Sequence, residues 1–434
     1  MSPRMLDLLH IIWLLFESAG LDPRQVNQAW MICQSLCRSS AASYPRGFFI
    51  NFSPDIPGFS LSTTAAHGLA PCQLPRGSLW LNMQLRFATG AESLQLQGVH
   101  VATLCPSALL LDDDKLVKKI AGDGYSLTVV GWYMLLAMVT LMRRGRLQIG
   151  ASSARIPPSG AALPSALDLG QAFLSAAEPL HPRALARHLV GALQNVWPAA
   201  FQNYHSPACI SLASLCSGAD FVKPFAEHLA HEVNALLRGE VLTIWDKVAC
   251  EKNPKVWNFR RQHVAGKDPD FFFPDVHTLP WSELPSADVC TISTMCTSLS
   301  HQNNDRRSLL DTDPSDPKCA SGATMHSALK YVALAQPKAV IFENVFGMLD
   351  KIPGRCDGKR NVDVVLETLR DHGYACGLDR QSAHQWMLPQ TRRRVYVWGL
   401  CQDLAGAQAF GESVRCFQLG PESRLSLAEC LLTR

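Results

Sequence analysis

The sequence predicts an α/β fold, a doubly wound and mostly parallel sheet with crossover helices, between residues 207 and 400. Two observations carry this expectation. Short β-branched runs alternate with helical stretches throughout that segment, the pattern of strand–helix–strand units in a parallel sheet. Successive runs also end in residues suited to chemistry: a glycine turn, a Glu, a Cys and a second Glu. Functional residues of open α/β sheets gather at the carboxyl ends of the strands.

Strands are expected at 210–215, 241–250, 289–293, 339–343 and 395–400, with helices at 224–238, 323–335 and 361–372. Residues 146–206 are rich in Ala, Ser and Pro without a strand pattern. They are expected to form a linker with some helix from His181 to Trp197. Residues 1–145 combine an apolar helix, a Pro/Gly-rich region from Pro45 to Pro75 and two helical segments. The run 127–142 contains Gly131 and ends in Arg143-Arg144. It falls short of the ~20 residues that cross a bilayer, so a buried helix is expected. Asp7 and His10 interrupt the run from Met5 to Phe16, which points to an amphipathic helix instead of a signal peptide. These features predict a nuclear or cytoplasmic protein without a membrane partner.

The 434 residues are 47% hydrophobic, enough for one large core or two modest domains. A net charge of +3 barely favours a polyanion, so binding to nucleic acid must rest on local Arg and Lys clusters. The 15 cysteines lack paired Cys-x-x-Cys spacing, which predicts reduced thiols and no metal site.

Ser211-Leu-Ala-Ser-Leu-Cys-Ser-Gly-Ala-Asp220 is an apolar strand entering a glycine turn before a helix. Gly218 lets the backbone approach a ligand, with Leu215, Cys216 and Ala219 beside it. A plain tight turn would need the same residues. Glu251, at the end of the next strand, can accept hydrogen bonds from two ribose hydroxyls, or cap a helix. It lies later than the ~20 residues of a compact dinucleotide unit. Asp275, with Val276 next to it, can hold a base amino group or serve the turn after Pro274.

Asp288-Val-Cys-Thr-Ile-Ser-Thr-Met-Cys-Thr-Ser-Leu-Ser300 is a buried strand opening into a small-residue loop that presents Cys296. A thiolate suits addition to carbon 6 of cytosine because it attacks well and leaves again. Ala339-Val-Ile-Phe-Glu-Asn-Val345 ends its strand with Glu343, which in an apolar pocket would keep a proton for the ring nitrogen. Asn344 is expected to fix the loop. Leu388-Pro-Gln-Thr-Arg-Arg-Arg-Val-Tyr-Val-Trp-Gly399 enters a strand through three arginines. Alternation sends Arg392 and Arg394 to one face and Arg393 to the other, where forked guanidiniums can clamp Glu343 and a base or phosphate.

Together these segments resemble the cytosine-5 DNA methyltransferases over residues 209–400. The family's Pro-Cys-Gln loop corresponds to Met295-Cys296-Thr297, its Glu-Asn-Val to Glu343-Asn344-Val345, and its Gln-x-Arg-x-Arg to Gln390 to Arg394. The glycine turn corresponds to Cys216-Ser217-Gly218-Ala219-Asp220. Upstream, Gly77 through Gly98 resembles the family's penultimate motif, and Ile120-Ala-Gly-Asp-Gly-Tyr-Ser126 its final one, which contacts the cofactor and brings in Asp123. In the family these two follow the arginines; here they precede everything. The resemblance implies either a circularly permuted single domain, the favoured reading, or the tail of one copy joined to a second. The expected division is an N-terminal segment 1–145 carrying the displaced motifs at about 77–142, the linker 146–206, and a catalytic core 207–434.

The resemblance further implies a Rossmann-like, S-adenosylmethionine-dependent enzyme acting on cytosine flipped out of DNA. Cys296, Glu343, Arg392 and Arg394 would be catalytic, with Ser300, Asn344 and Gln390 toward the substrate. A scaffold that binds cofactor or nucleic acid without turnover, and an RNA cytosine methyltransferase, remain as alternatives. Four positions depart from the family pattern: Met295 replaces Pro, Thr297 replaces Gln, Asp220 replaces Gly and Asp123 replaces Asn. Pro71-Cys72-Gln73 spells the nucleophile motif literally but has no buried strand before it, so Cys296 is preferred.

Overall fold

In the computed structural model, the residues described are 49–52, 70–72, 78–81, 86–105, 113–144, 181–202, 207–264, 267–300, 320–351 and 358–401. The expected helix at the start of the chain lies outside them, as does most of the Pro45 to Pro75 region. Among the described residues, no single helix is long and apolar enough to cross a membrane.

The N-terminal part contains strands β1 (Phe49–Phe52), β2 (Ala70–Pro71), β3 (Ser78–Leu81) and β4 (Arg86–Phe87). Helices α1 (Gly90–Gln95), α2 (Val101–Leu104), α3 (Asp114–Asp123) and α4 (Leu127–Arg144) follow. Helix α5 (Pro182–Val196) then precedes β5 (Ala208–Leu215), α6 (Val222–Leu237), β6 (Leu242–Cys250), α7 (Pro254–His263), β7 (Phe271–Phe273) and β8 (Val289–Ser293). The last elements are α8 (Ala320–Ala335), β9 (Ala339–Val345), α9 (Asn361–Asp371), β10 (Tyr374–Ser382), β11 (Gln390–Thr391) and β12 (Arg393–Cys401).

Seven strands form one sheet in the order β10-β12-β9-β8-β5-β6-β7. Strands β5 to β9 run parallel, while β12 and β10 are antiparallel additions at one edge. The chain winds outward from β5 through β6 to β7, then returns to start β8 on the other side of β5. That reversal places a crevice beyond the carboxyl ends of β5 and β8. This is the doubly wound, Rossmann-like methyltransferase fold expected from the sequence. All five predicted strands and three predicted helices form, within a few residues of the expected bounds. Strands β7 and β10 and helix α7 were not anticipated.

Two apolar layers sandwich the sheet. On one face α4, α5 and α6 pack together; on the other, α8 and α9 cover β8, β9 and β12. The stretch read as a linker therefore supplies a core helix, since Leu185, Ala186, Leu189 and Leu193 of α5 are fully buried. An apolar stripe at helical spacing, flanked by Arg183 and Arg187, drives that burial. Helix α4 is buried along nearly its whole length, and Gly131 is what lets it close on α6. A Cβ there would stand 2.2 Å from the Phe225 ring.

Helix α4 is also fastened to the edge strands. Thr128 Oγ1 donates to the Trp386 carbonyl at 3.0 Å, and Tyr133 stacks on Tyr396 with centroids 5.0 Å apart. Between α1 and α2, Gln97 Nε2 donates to Gln390 Oε1 at 3.0 Å. The N-terminal motifs thus lie against the same sheet as the strands that follow them in the chain.

Candidate active site

A cavity of ≈410 Å³ opens at the crevice, lined from both the N-terminal helices and the sheet. Its cofactor-side wall begins at the turn after β5. The backbone is left-handed at Cys216, Gly218 and Asp220, with φ of 55°, 58° and 53°. Two of these are not glycine, so the turn carries strain of about 1–2 kcal/mol per residue, a feature that clusters at functional sites. A Cβ on Gly218 would meet no protein atom within 4 Å; the space in front of the turn is open.

Glu251 lines the cavity at the end of β6 and holds this turn in place. Its Oε2 accepts from the Gly218 amide at 2.9 Å and its Oε1 from the Asn253 amide at 2.7 Å. Burial pushes its carboxyl above the ordinary range, against those two amide bonds. Asp275 lines the cavity too, capping the turn at His277 (3.0 Å) and pairing with Lys252 at 2.9 Å. Asp275 fills the turn role open to it in the sequence, whereas Asn253 and not Glu251 caps the following helix; both acids face the cavity. Asp123 and Val276 complete this wall, with Asp123 ion-paired to Lys119.

Three expectations change here. Leu215 and Ala219 do not line the cavity, because their side chains belong to the apolar layers on the two faces of the sheet. Asp220 brings no charge to the cavity either. It is buried beside Asp246, with Arg260 Nε at 3.9 Å and Arg260 Nη2 on Asp246 at 2.6 Å. Burial and the Asp246 charge hold the Asp220 carboxyl well above the usual range, with Arg260 opposing.

The opposite wall carries the reactive groups. Strand β8 delivers the loop Thr294–Thr297, and Cys296 sits half-buried in it with Met295 exposed beside it. The Cys296 carbonyl accepts from the Leu299 and Ser300 amides, each at 3.0 Å, closing the loop as a turn. Gly347 makes room for that turn, since a Cβ there would stand 1.7 Å from the Leu299 carbonyl oxygen. Burial pushes the Cys296 thiol up, Glu343 and Asp123 add to this, and Arg394 and Arg392 oppose it.

Glu343 is 4% exposed and pairs in register with Ser293 of β8 and Tyr396 of β12. Its pocket is polar, contrary to the apolar setting expected. Arg394 Nε lies 3.0 Å from Glu343 Oε1, and Ser293 Oγ donates to Oε2 at 3.0 Å. Because β12 runs antiparallel to β9, its first residues arrive where β9 ends, which is how sequence-distant arginines reach this carboxyl. Alternation works as expected: Arg392 and Arg394 line the cavity while Arg393 is exposed. The two do different jobs, however. Arg392 Nη2 is committed to the Gly122 and Gly124 carbonyls at 3.1 and 2.6 Å, tying the N-terminal turn to the sheet.

Asn344 lines the cavity and fixes the Cys296 loop through Thr294, donating to its carbonyl at 3.3 Å and its Oγ1 at 3.1 Å. Ser300 and Gln390 do not line the cavity. Gln390 is fully buried against Gln97, so it joins chain segments where substrate contact was expected. Three residues near the reacting groups escaped the sequence: Ser293, Gly347 and Tyr125. Tyr125 lines the cavity, and its hydroxyl is buried without a partner among the described residues. Its place next to the Gly-Asp-Gly turn was the available signal.

The sheet order is that of the Rossmann-like methyltransferase fold, and the cavity lies at its switch point. Residues 247–419 match the model of the C-5 cytosine-specific DNA methylase family. The chain is similar to the orphan methyltransferase M.SPRI of Bacillus phage SPR, 26% identical over 141 residues, covering 32% of this chain and 29% of that protein. It is also similar to the type II methyltransferase M.HgiBI of Herpetosiphon aurantiacus, 30% identical over 89 residues, covering 20% of this chain and 18% of the other. These matches span less than a third of the length of either relative. Among solved structures, the S. pombe Dnmt2 methyltransferase aligns with a TM-score of 0.28 and 18% identity, covering 44% of this chain and 51% of that one.

Proposed function

We propose that this protein transfers a methyl group from S-adenosylmethionine to carbon 5 of a cytosine flipped out of DNA, through a covalent adduct on Cys296. The observation that carries the reading is that one cavity holds Cys296, the Glu343–Arg394 pair and the open Gly218 turn together. A circularly permuted single domain accompanies it. Arg392 gripping Gly122 and Gly124, and α4 packed on the edge strands, support the N-terminal motifs completing the same catalytic body.

The residues fit the cofactor. The left-handed turn leaves open space for a ligand at Gly218, Glu251 and Asp275 offer acceptors for hydroxyls and an amino group, and the buried Tyr125 hydroxyl awaits a partner. When bound, S-adenosylmethionine supplies an electrophilic methyl group. Cys296 Sγ, favoured as thiolate by Arg394, adds to carbon 6 of the ring. Glu343, held by Arg394 and Ser293, gives a proton to the ring nitrogen so that the electron pair can be held at carbon 5 for the methyl group. Loss of the carbon 5 proton to water, return of the ring-nitrogen proton to Glu343 and expulsion of the Cys296 sulfur as thiolate then restore the aromatic ring. Asn344 keeps the nucleophile loop closed over the base.

One observation favours a second reading, a cofactor-binding scaffold without turnover: burial holds Cys296 toward its unreactive thiol form. Radiolabelled methyl transfer to unmethylated DNA, hemimethylated DNA and tRNA, with Cys296→Ala alongside, separates the readings. Label on DNA that vanishes in the variant is the expected result. Label on tRNA alone would make the substrate RNA. Cofactor binding by calorimetry without any transfer would leave the scaffold.

A further inference from the structure

The literal Pro-Cys-Gln that sequence context set aside reaches the site by another route. Strand β2 pairs in parallel with β11, Ala70 opposite Gln390 and Pro71 opposite Thr391. The pairing is fixed by backbone, the Ala70 amide donating to the Pro389 carbonyl at 2.7 Å. The next residue on each strand is therefore Cys72 on one side and Arg392 on the other. Cys72 Sγ lies 3.8 Å from Arg392 Nη1 and 3.9 Å from Arg394 Nη1. Both arginines line the cavity while Cys72 does not; the thiol stands behind them.

We propose that Cys72 is the ionised counter-ion of the Arg392–Arg394 pair, a positioning residue that holds the two guanidiniums together while Glu343 exchanges its proton. This rests on the role for Glu343 proposed above. Arg392 is 2% exposed, and the side chain of Arg394 is 12% exposed. Burial and the neighbouring charge of Arg394 both work against Arg392, while Cys72 and Glu343 work for it. Protonation of Glu343 would remove the carboxylate that Arg394 meets at 3.0 Å, a high electrostatic cost for a buried guanidinium. A thiolate at Cys72 keeps one negative charge on the pair throughout the cycle.

The electrostatics agree with this geometry. Burial raises the Cys72 thiol, yet the charges and hydrogen bonds of Arg394 and Arg392 override it and bring it below the ordinary value. Among the described residues, the charged groups facing it are those two arginines at the start of β12, with Glu343 of β9 reached through Arg394. Cys296, on the cavity wall, shifts the opposite way.

The test uses the full chain. Iodoacetamide alkylation, read at each cysteine by mass spectrometry between about pH 5 and 9, reports where each thiol ionises. Cys72 is expected to ionise below the ordinary ~8.5, and to return toward it in Arg394→Gln. Methyl transfer by Cys72→Ser is expected to fall about tenfold in kcat with KM for S-adenosylmethionine unchanged, the effect of removing one charge beside the arginine pair. Cys72→Asp, which keeps the charge, is expected to recover most of it.

An ordinary titration at Cys72, or Ser and Asp variants that behave alike, would overturn the proposal. A fluorocytosine adduct mapped to Cys72 would overturn it as well, along with the assignment of Cys296. If the wild-type chain transfers no methyl group, the alkylation profile still decides the counter-ion role, so the two readings fail separately.

Discussion

Glu251 and Glu343 both end parallel strands and both line the cavity, yet they are held in opposite ways. Glu251 accepts from two backbone amides, Gly218 and Asn253, and so shapes the turn in front of it. Glu343 is held by side chains, Arg394 and Ser293, and is free to change its hydrogen bonding without moving the chain. The cofactor half of the cavity is thus a moulded backbone surface, and the reactive half a cluster of exchangeable charges. Substitutions should follow that division: shape changes cost binding, and charge changes cost rate.

The sharpest test is Glu343→Gln. The amide keeps the size and can still meet Ser293, but it cannot deliver a proton. The kcat for methyl transfer is expected to fall by about 10²–10⁴, the usual range for a general acid. The calorimetric affinity for S-adenosylmethionine should stay within about twofold of wild type, well under one pKa unit in free energy. Equal losses in both would break the division between the halves.

Gly218→Ala probes the other half. A Cβ meets no protein atom there, so the fold bears only the left-handed strain of about 1–2 kcal/mol. A bound cofactor would occupy the space that the methyl group enters. Affinity for S-adenosylmethionine is expected to drop more than about tenfold, beyond what ~1.4 kcal/mol of strain explains, while the rate at saturation changes little. Unchanged affinity would mean that the ligand does not approach this turn.

The sheet was legible because β5, β8, β9 and β12 are near-continuous apolar runs buried on both faces, a signal independent of the helices around them. The edge strand Tyr374–Ser382 was not: it carries Asp379 and Arg380, and its neighbour in the sheet lies at one side only. Cys296 and Glu343 could be found because strand-end position and side-chain chemistry agree at both. Arg392 was recognised, but not its grip on the carbonyls of Gly122 and Gly124, some 270 residues away along the chain. A similar separation hid Cys72. Its neighbours in sequence argue against a site, and only the pairing of β2 with β11 brings it to the arginines.

The smallest expected effect concerns the residue that replaces the family's glycine at the turn. Asp220 is buried beside Asp246 with Arg260 shared between them, and its carboxyl is held well above the usual range, by burial first and the Asp246 charge second. The folded chain therefore keeps a proton there that the unfolded chain releases. Stability contributed by this group falls as pH rises above the ordinary carboxylate range. Asn at 220 would mimic the protonated form at every pH, and Arg260 would keep Asp246 and Asp268 as partners. Melting curves of wild type and Asp220→Asn should coincide below the ordinary carboxylate value of about 3.9 and separate as pH rises above it. At pH 8 the variant should be more stable by about 1 kcal/mol, because the burial penalty on the charged form is gone. Cofactor affinity should not change, since Asp220 is buried and does not line the cavity. A variant that melts lower at pH 8 would show that the ionised Asp220–Arg260 contact holds the turn, placing this residue with the moulded half after all.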